Sequence, residues 1–94
     1  MRYKLLEGIV PARAADEHLL VATRPAWEKC PYIKHLTPLE ATFWHGLEQG
    51  MDDETIVQEM LKVNRIKEST LRRRLGEFLK TMEAEGYLTP EEGP

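Results

Sequence analysis

Residues 67–88 read KESTLRRRLGEFLKTMEAEGYL, and the fold turns on this stretch. Leu71, Leu75, Phe78, Leu79 and Met82 recur at helical spacing, which lays one apolar stripe along a single face. Ser69 or Thr70 is placed to cap the start of that helix. Gly86 is placed to stop it, with Tyr87 and Leu88 free to fold back on its last turn. A stripe of this kind is stable only when covered, so the preceding chain must supply the cover.

Immediately upstream lie two more helical patterns. Thr37, Pro38 and Glu40 form the signature of a capping box with proline at the first helical position. Leu39, Phe43 and Leu47 continue as an apolar stripe with Trp44 beside it, and Gly50 ends the helix. Asp52 or Asp53 caps the next, where Ile56, Val57, Met60 and Leu61 share a face. Asn64 and Arg65 form a turn and Ile66 plugs into the core. The last two helices have helix-turn-helix proportions.

Residues 3–36 differ in kind, being rich in Leu, Ile, Val and Tyr and broken by Gly8, Pro11, Pro25 and Pro31. Gly8–Arg13 (GIVPAR), His18–Thr23 (HLLVAT) and Tyr32–Leu36 (YIKHL) read as strands, with Ala15, Asp16 and Glu17 as a connection and residues 24–31 as a proline-bounded loop. Short connections favour an antiparallel meander in chain order. The expected fold class is therefore α+β: a three-stranded antiparallel sheet followed by a three-helix, winged-helix-like bundle. With 94 residues, one domain over 1–90 and a frayed tail over 91–94 are expected. Pro11 lacks an N–H, so strand one suits an edge with that gap facing outward. Strand three has no internal proline and is the open edge: either Lys34 simply guards it against aggregation, or the edge takes up an extended peptide.

Composition excludes several function classes. One cysteine, Cys30, makes no internal disulfide and suits a reducing, cytoplasmic setting. No signal-like or membrane-length apolar run occurs. His18, His35, His45 and Cys30 show no metal-binding spacing, and no cofactor motif is present. The single serine, Ser69, lacks a nucleophile elbow, and no carboxylate pair stands out. No catalytic residue is assigned, and the chain is read as a non-enzyme. Charge is segregated: residues 62–74 carry six basic side chains against Glu68, while residues 48–59 carry five acidic ones and no basic one. Gly76, in the middle of a helix, costs about 1 kcal/mol relative to alanine and lies on the flank shared by Arg72, Leu79 and Glu83. It either allows a close helix contact or leaves a channel for another backbone.

The GIVPAR and HLLVAT strands, a short third strand running into Leu36-Thr37, a helix with Trp44, and a turn at Gly50 before IVQEMLK together resemble the PqqD-like family over about residues 3–88. These are peptide chaperones, the recognition elements for precursors of ribosomally made, post-translationally modified peptides. The resemblance implies a three-stranded sheet on a winged-helix-like trio. It also implies a leader peptide added to strand three beside helix three and presented to a modifying enzyme, often a radical S-adenosylmethionine maturase. Carried over, the peptide site comprises Tyr32, Ile33, Lys34, His35 and Leu36 with Leu71, Arg72, Leu75, Gly76 and Leu79. The eight-residue connection over 24–31 departs from a tight hairpin. The competing reading is a winged-helix DNA-binding regulator using Arg72 and Arg73, against which stand the net charge of -3 and the lack of a basic wing after Leu88. A third is a subunit that docks on an enzyme without touching peptide. An open edge also permits homodimers.

Overall fold

The computed structural model describes residues 1–24, 26–30 and 33–91. In chain order its elements are β1 (Arg2–Leu5), β2 (Ile9–Ala14), β3 (Glu17–Ala22), a 3-10 turn (Ala26–Glu28), β4 (Ile33–Leu36), α1 (Pro38–Glu48), α2 (Asp53–Val63), α3 (Glu68–Ala84) and β5 (Leu88–Glu91). The expected meander is present as a three-stranded antiparallel sheet in the order β2-β3-β4. Its turn is tighter than expected. Glu17 belongs to β3, and Ala15 takes φ 56°, so two residues reverse the chain. Tyr32, expected to open the third strand, lies outside the described residues.

Two strands were not anticipated. β1 pairs antiparallel with β5, from Arg2 opposite Glu91 to Leu5 opposite Leu88. Of the tail expected to fray over 91–94, Glu91 is paired, and residues 92–94 lie outside the described ones. Pro90 is tolerated because a two-stranded sheet has only edges. Leu6 N–H donates to Tyr87 O (2.9 Å), carrying the ladder one residue further.

Capping follows local chemistry, with one exception. Thr37 Oγ1 accepts from Glu40 N–H at 3.1 Å while Glu40 Oε1 accepts from Thr37 N–H at 2.9 Å, a complete capping box. Asp52 accepts from Thr55 N–H at 2.8 Å. α3 departs from expectation: Lys67 is its N-cap without a side-chain hydrogen bond, and Ser69 and Thr70 lie inside the helix. At the far end Gly86 takes φ 90°; its N–H donates to Glu83 O and Tyr87 N–H donates to Met82 O, a Schellman motif.

The core joins all three layers. Leu20 and Leu36 from the sheet meet Phe43, Trp44 and Leu47 of α1, Ile56, Val57 and Met60 of α2, and the full α3 stripe. Tyr87 and Leu88 close it from below, with Tyr87 edge-on to Trp44 at 6.4 Å. The Cβ that Gly46 lacks would come within 2.9 Å of Ile56, so glycine lets α1 and α2 approach closely.

Candidate functional site

Among the described residues β4 pairs with β3 on one side only. The ladder shows which of its backbone groups are unused. Thr23 N–H donates to Gly8 O at 2.7 Å, so Gly8–Thr23 is a hydrogen-bonded pair, and alternation makes Val10–Val21 and Ala12–Leu19 the next ones. Pro11 then falls in a non-hydrogen-bonded pair with its missing donor facing outward. By the same alternation Leu20 and His18 bond toward β4, to Lys34 and Leu36. The N–H and C=O of Ile33 and His35 therefore face the open edge.

Side chains alternate in the complementary sense. Lys34 and Leu36 turn toward the helices. Leu36 enters the core, and Lys34 Nζ lies 3.0 and 3.1 Å from the two carboxylate oxygens of Glu85, just past α3. This half-buried ion pair ties the strand to the helix end. Ile33 and His35 are exposed on the opposite face, His35 Nδ1 lying 3.6 Å from Glu17.

At about 100° per residue, α3 presents two different flanks on either side of its buried stripe. Arg74, Glu77, Phe78, Thr81 and Glu85 occupy one. Arg74, Glu77, Phe78 and Thr81 line a cleft of about 220 Å³ with Thr37, Leu39, Glu40 and Phe43 of the first turns of α1. The cleft begins where β4 ends. Arg74 is exposed and has no carboxylate within 4 Å among the described residues.

The helical residues expected at the site fall in two places. Leu71, Leu75 and Leu79 are buried in the core. Arg72 and Gly76 lie on the flank that faces α2, around a smaller cleft of about 90 Å³ with Asp53 and Val57. Arg72 makes a bidentate pair with Glu54 (2.8 and 2.8 Å) and bonds Glu68 through Nε at 2.9 Å. The Arg72 guanidinium, helped by Gln58, holds the Glu54 carboxyl down at about 2, and the Arg72 pKa is raised in turn. The acidic and basic blocks of the sequence thus meet across α2 and α3. A Cβ at Gly76 would meet nothing within 4 Å, so no close helix contact explains this glycine. The expected residues therefore divide into an open strand edge and a helical group that does not adjoin it. The Phe78–Thr81 flank escaped the sequence reading because helical spacing separates flanks without saying which one the sheet adjoins.

Burial pushes the Cys30 thiol up, away from an activated nucleophile. Among the described residues no group of three or more His, Cys, Asp or Glu side chains converges as metal ligands, and no helix is long and apolar enough to cross a membrane.

No family model matches the chain, and no curated protein does. Solved structures do. TbiB1 in complex with the TbiA(beta) leader peptide superposes with a TM-score of 0.75 at 22% identity, covering 96% of this chain and 99% of that one. A lasso peptide synthetase B1 complexed with the leader peptide superposes with a TM-score of 0.76 at 14% identity, covering 96% and 100%. Over nearly its whole length the chain has the fold of these two leader-bound B1 proteins, in agreement with the PqqD-like resemblance of its sequence.

Proposed function

We propose that this protein binds the leader region of a ribosomally made precursor peptide by strand addition to β4 and presents it to a modifying enzyme. The observation that carries the reading is the unpaired edge, with the N–H and C=O of Ile33 and His35 available beside a cleft. Strand addition draws its affinity from such main-chain groups and its specificity from pockets for alternate side chains. The fold shared with two leader-bound proteins supports the same reading. The proposed wall is the Arg74, Glu77 and Thr81 flank facing half-buried Leu39 of α1, with an apolar leader side chain resting on Leu39 and an acidic one meeting Arg74. The protein itself supplies recognition and no catalysis; the chemistry belongs to its partner, for which a radical S-adenosylmethionine maturase is one candidate class.

The test is titration of the leader peptide encoded beside this chain while following backbone amide shifts. The largest changes are expected at Ile33, His35 and residues 74–81. Changes confined to the Arg72–Gly76 flank, or absent from β4, would overturn the assignment. The DNA-binding alternative loses ground because Arg72 is already held by two carboxylates.

A further inference from the structure

A lysine on a strand edge ordinarily discourages pairing, because a second strand must lie against its charge. Lys34 is placed differently. Its side chain points to the helix side of β4, and its ammonium lies 3.0 and 3.1 Å from the two carboxylate oxygens of Glu85. With side chains 20% and 32% exposed, this is the most buried ion pair among the described residues. Both partners are held by their backbones. Lys34 is fixed by its ladder to Leu20. Glu85 is the C-cap of α3, set between its own N–H bond to Thr81 O and the left-handed turn at Gly86.

A strand added to β4 brings one residue alongside Lys34. Whichever way the strand runs, that residue points to the same face, with its Cβ about 5 Å from that of Lys34. Lys34 gives its own backbone groups to Leu20, so in antiparallel addition the new pair is of the non-hydrogen-bonded kind, in which side chains approach most closely. The guest side chain there meets an ammonium and a carboxylate whose charges sum to zero. An uncharged side chain covers them at little electrostatic cost. A charged one gains from one partner what it loses to the other, and its lost hydration is left uncompensated.

We propose that the Lys34–Glu85 pair is a specificity determinant of the peptide site: it admits an uncharged leader residue beside Lys34 and rejects a charge of either sign there. The inference rests on the strand-addition reading above and names the class of peptide that such a site accepts. It makes the two ends of the site unlike, the Arg74 end favouring an acidic residue and the Lys34 end an uncharged one.

The experiment measures affinity of the full chain for the leader peptide encoded beside it, and for copies of that peptide carrying Asp or Lys at each position in turn. It compares wild type with Glu85→Gln and Lys34→Met. Wild type is expected to show one position, uncharged in the native leader, at which Asp and Lys each weaken binding by about tenfold or more. At that position Glu85→Gln should regain the loss for the Asp peptide and not for the Lys peptide. Lys34→Met should regain it for the Lys peptide and not for the Asp peptide. A side chain merely crowded out of a tight space stays excluded in both variants, so the opposite recoveries identify the pair. Should one variant fail to fold, the other decides. The absence of any position that rejects both signs, or a folded variant that still rejects both, overturns the proposal. If wild type fails to bind the native leader, the strand-addition reading fails at the first measurement, before any charge is introduced.

Discussion

Two glycines in or just after one helix do opposite things. Gly86 has φ 90°, and a Cβ there would meet Lys29 O at 2.5 Å. Gly86→Ala is expected to destabilise by about 2 kcal/mol or more, since strain and a backbone clash add. Gly76 has ordinary helical surroundings and open space beside it. Gly76→Ala is expected to stabilise by about 1 kcal/mol in denaturant unfolding, without changing leader affinity. A loss of affinity would show that the guest uses the Gly76 flank after all. The Glu54–Arg72 pair gives a prediction of defined sign. With the Glu54 pKa depressed to about 2 from 4.5, its contribution to stability is present above about pH 4.5 and lost as pH falls through about 2. The stability gap between wild type and Glu54→Gln should therefore narrow over that window. Both groups are exposed, so the gap is small throughout.

At the scale of elements, β4 and α3 form the proposed site, and each offers a separate test. His35→Pro removes an N–H that faces the open edge and leaves the β3 ladder intact. It is expected to weaken leader binding at least tenfold in calorimetry with little effect on melting, whereas Lys34→Pro should unfold the edge itself. On α3, Arg74→Glu should weaken binding of an acidic leader at low salt, with the loss shrinking as salt rises. Arg72→Glu should lower stability more than affinity, because it sets a carboxylate beside Glu54 and Glu68. Much of this level was legible in the sequence. Thr37-Pro38 with Glu40, Asp52, and Gly86 mark helix ends through chemistry confined to one turn, and Pro11 marks an outer strand. The cap of α3 was not legible, since Ser69 and Thr70 offered hydroxyls that the helix passes over. Nor was the flank of α3 beside the sheet, which depends on how α2 packs.

Across the whole molecule the least legible feature is the β1–β5 pair. Residues 2–5 are too few to show a period, and their partner lies at the opposite end of the described chain behind Pro90. Such a pairing is a tertiary event that no local window contains. It nevertheless bears on the core, because β5 begins at Leu88, fully buried beside Tyr87. Leu88→Ala is expected to cost about 2–4 kcal/mol, read from the shift of the denaturation midpoint, although the residue lies far in sequence from β4. The proposed peptide-binding edge and the β1–β5 pair share the stability of the domain and are linked more directly by the Lys34–Glu85 ion pair, three residues before β5.

The register of β1 with β5 also decides how the protein responds to mechanical load. Arg2 stands opposite Glu91, so tension applied at these two residues pulls on one rung at a time and peels the pair like a zipper, rather than loading all its rungs together. The first yielding would come at low force and stop at Leu5 and Leu88, where the core begins. The β2–β4 sheet would still be whole at that extension.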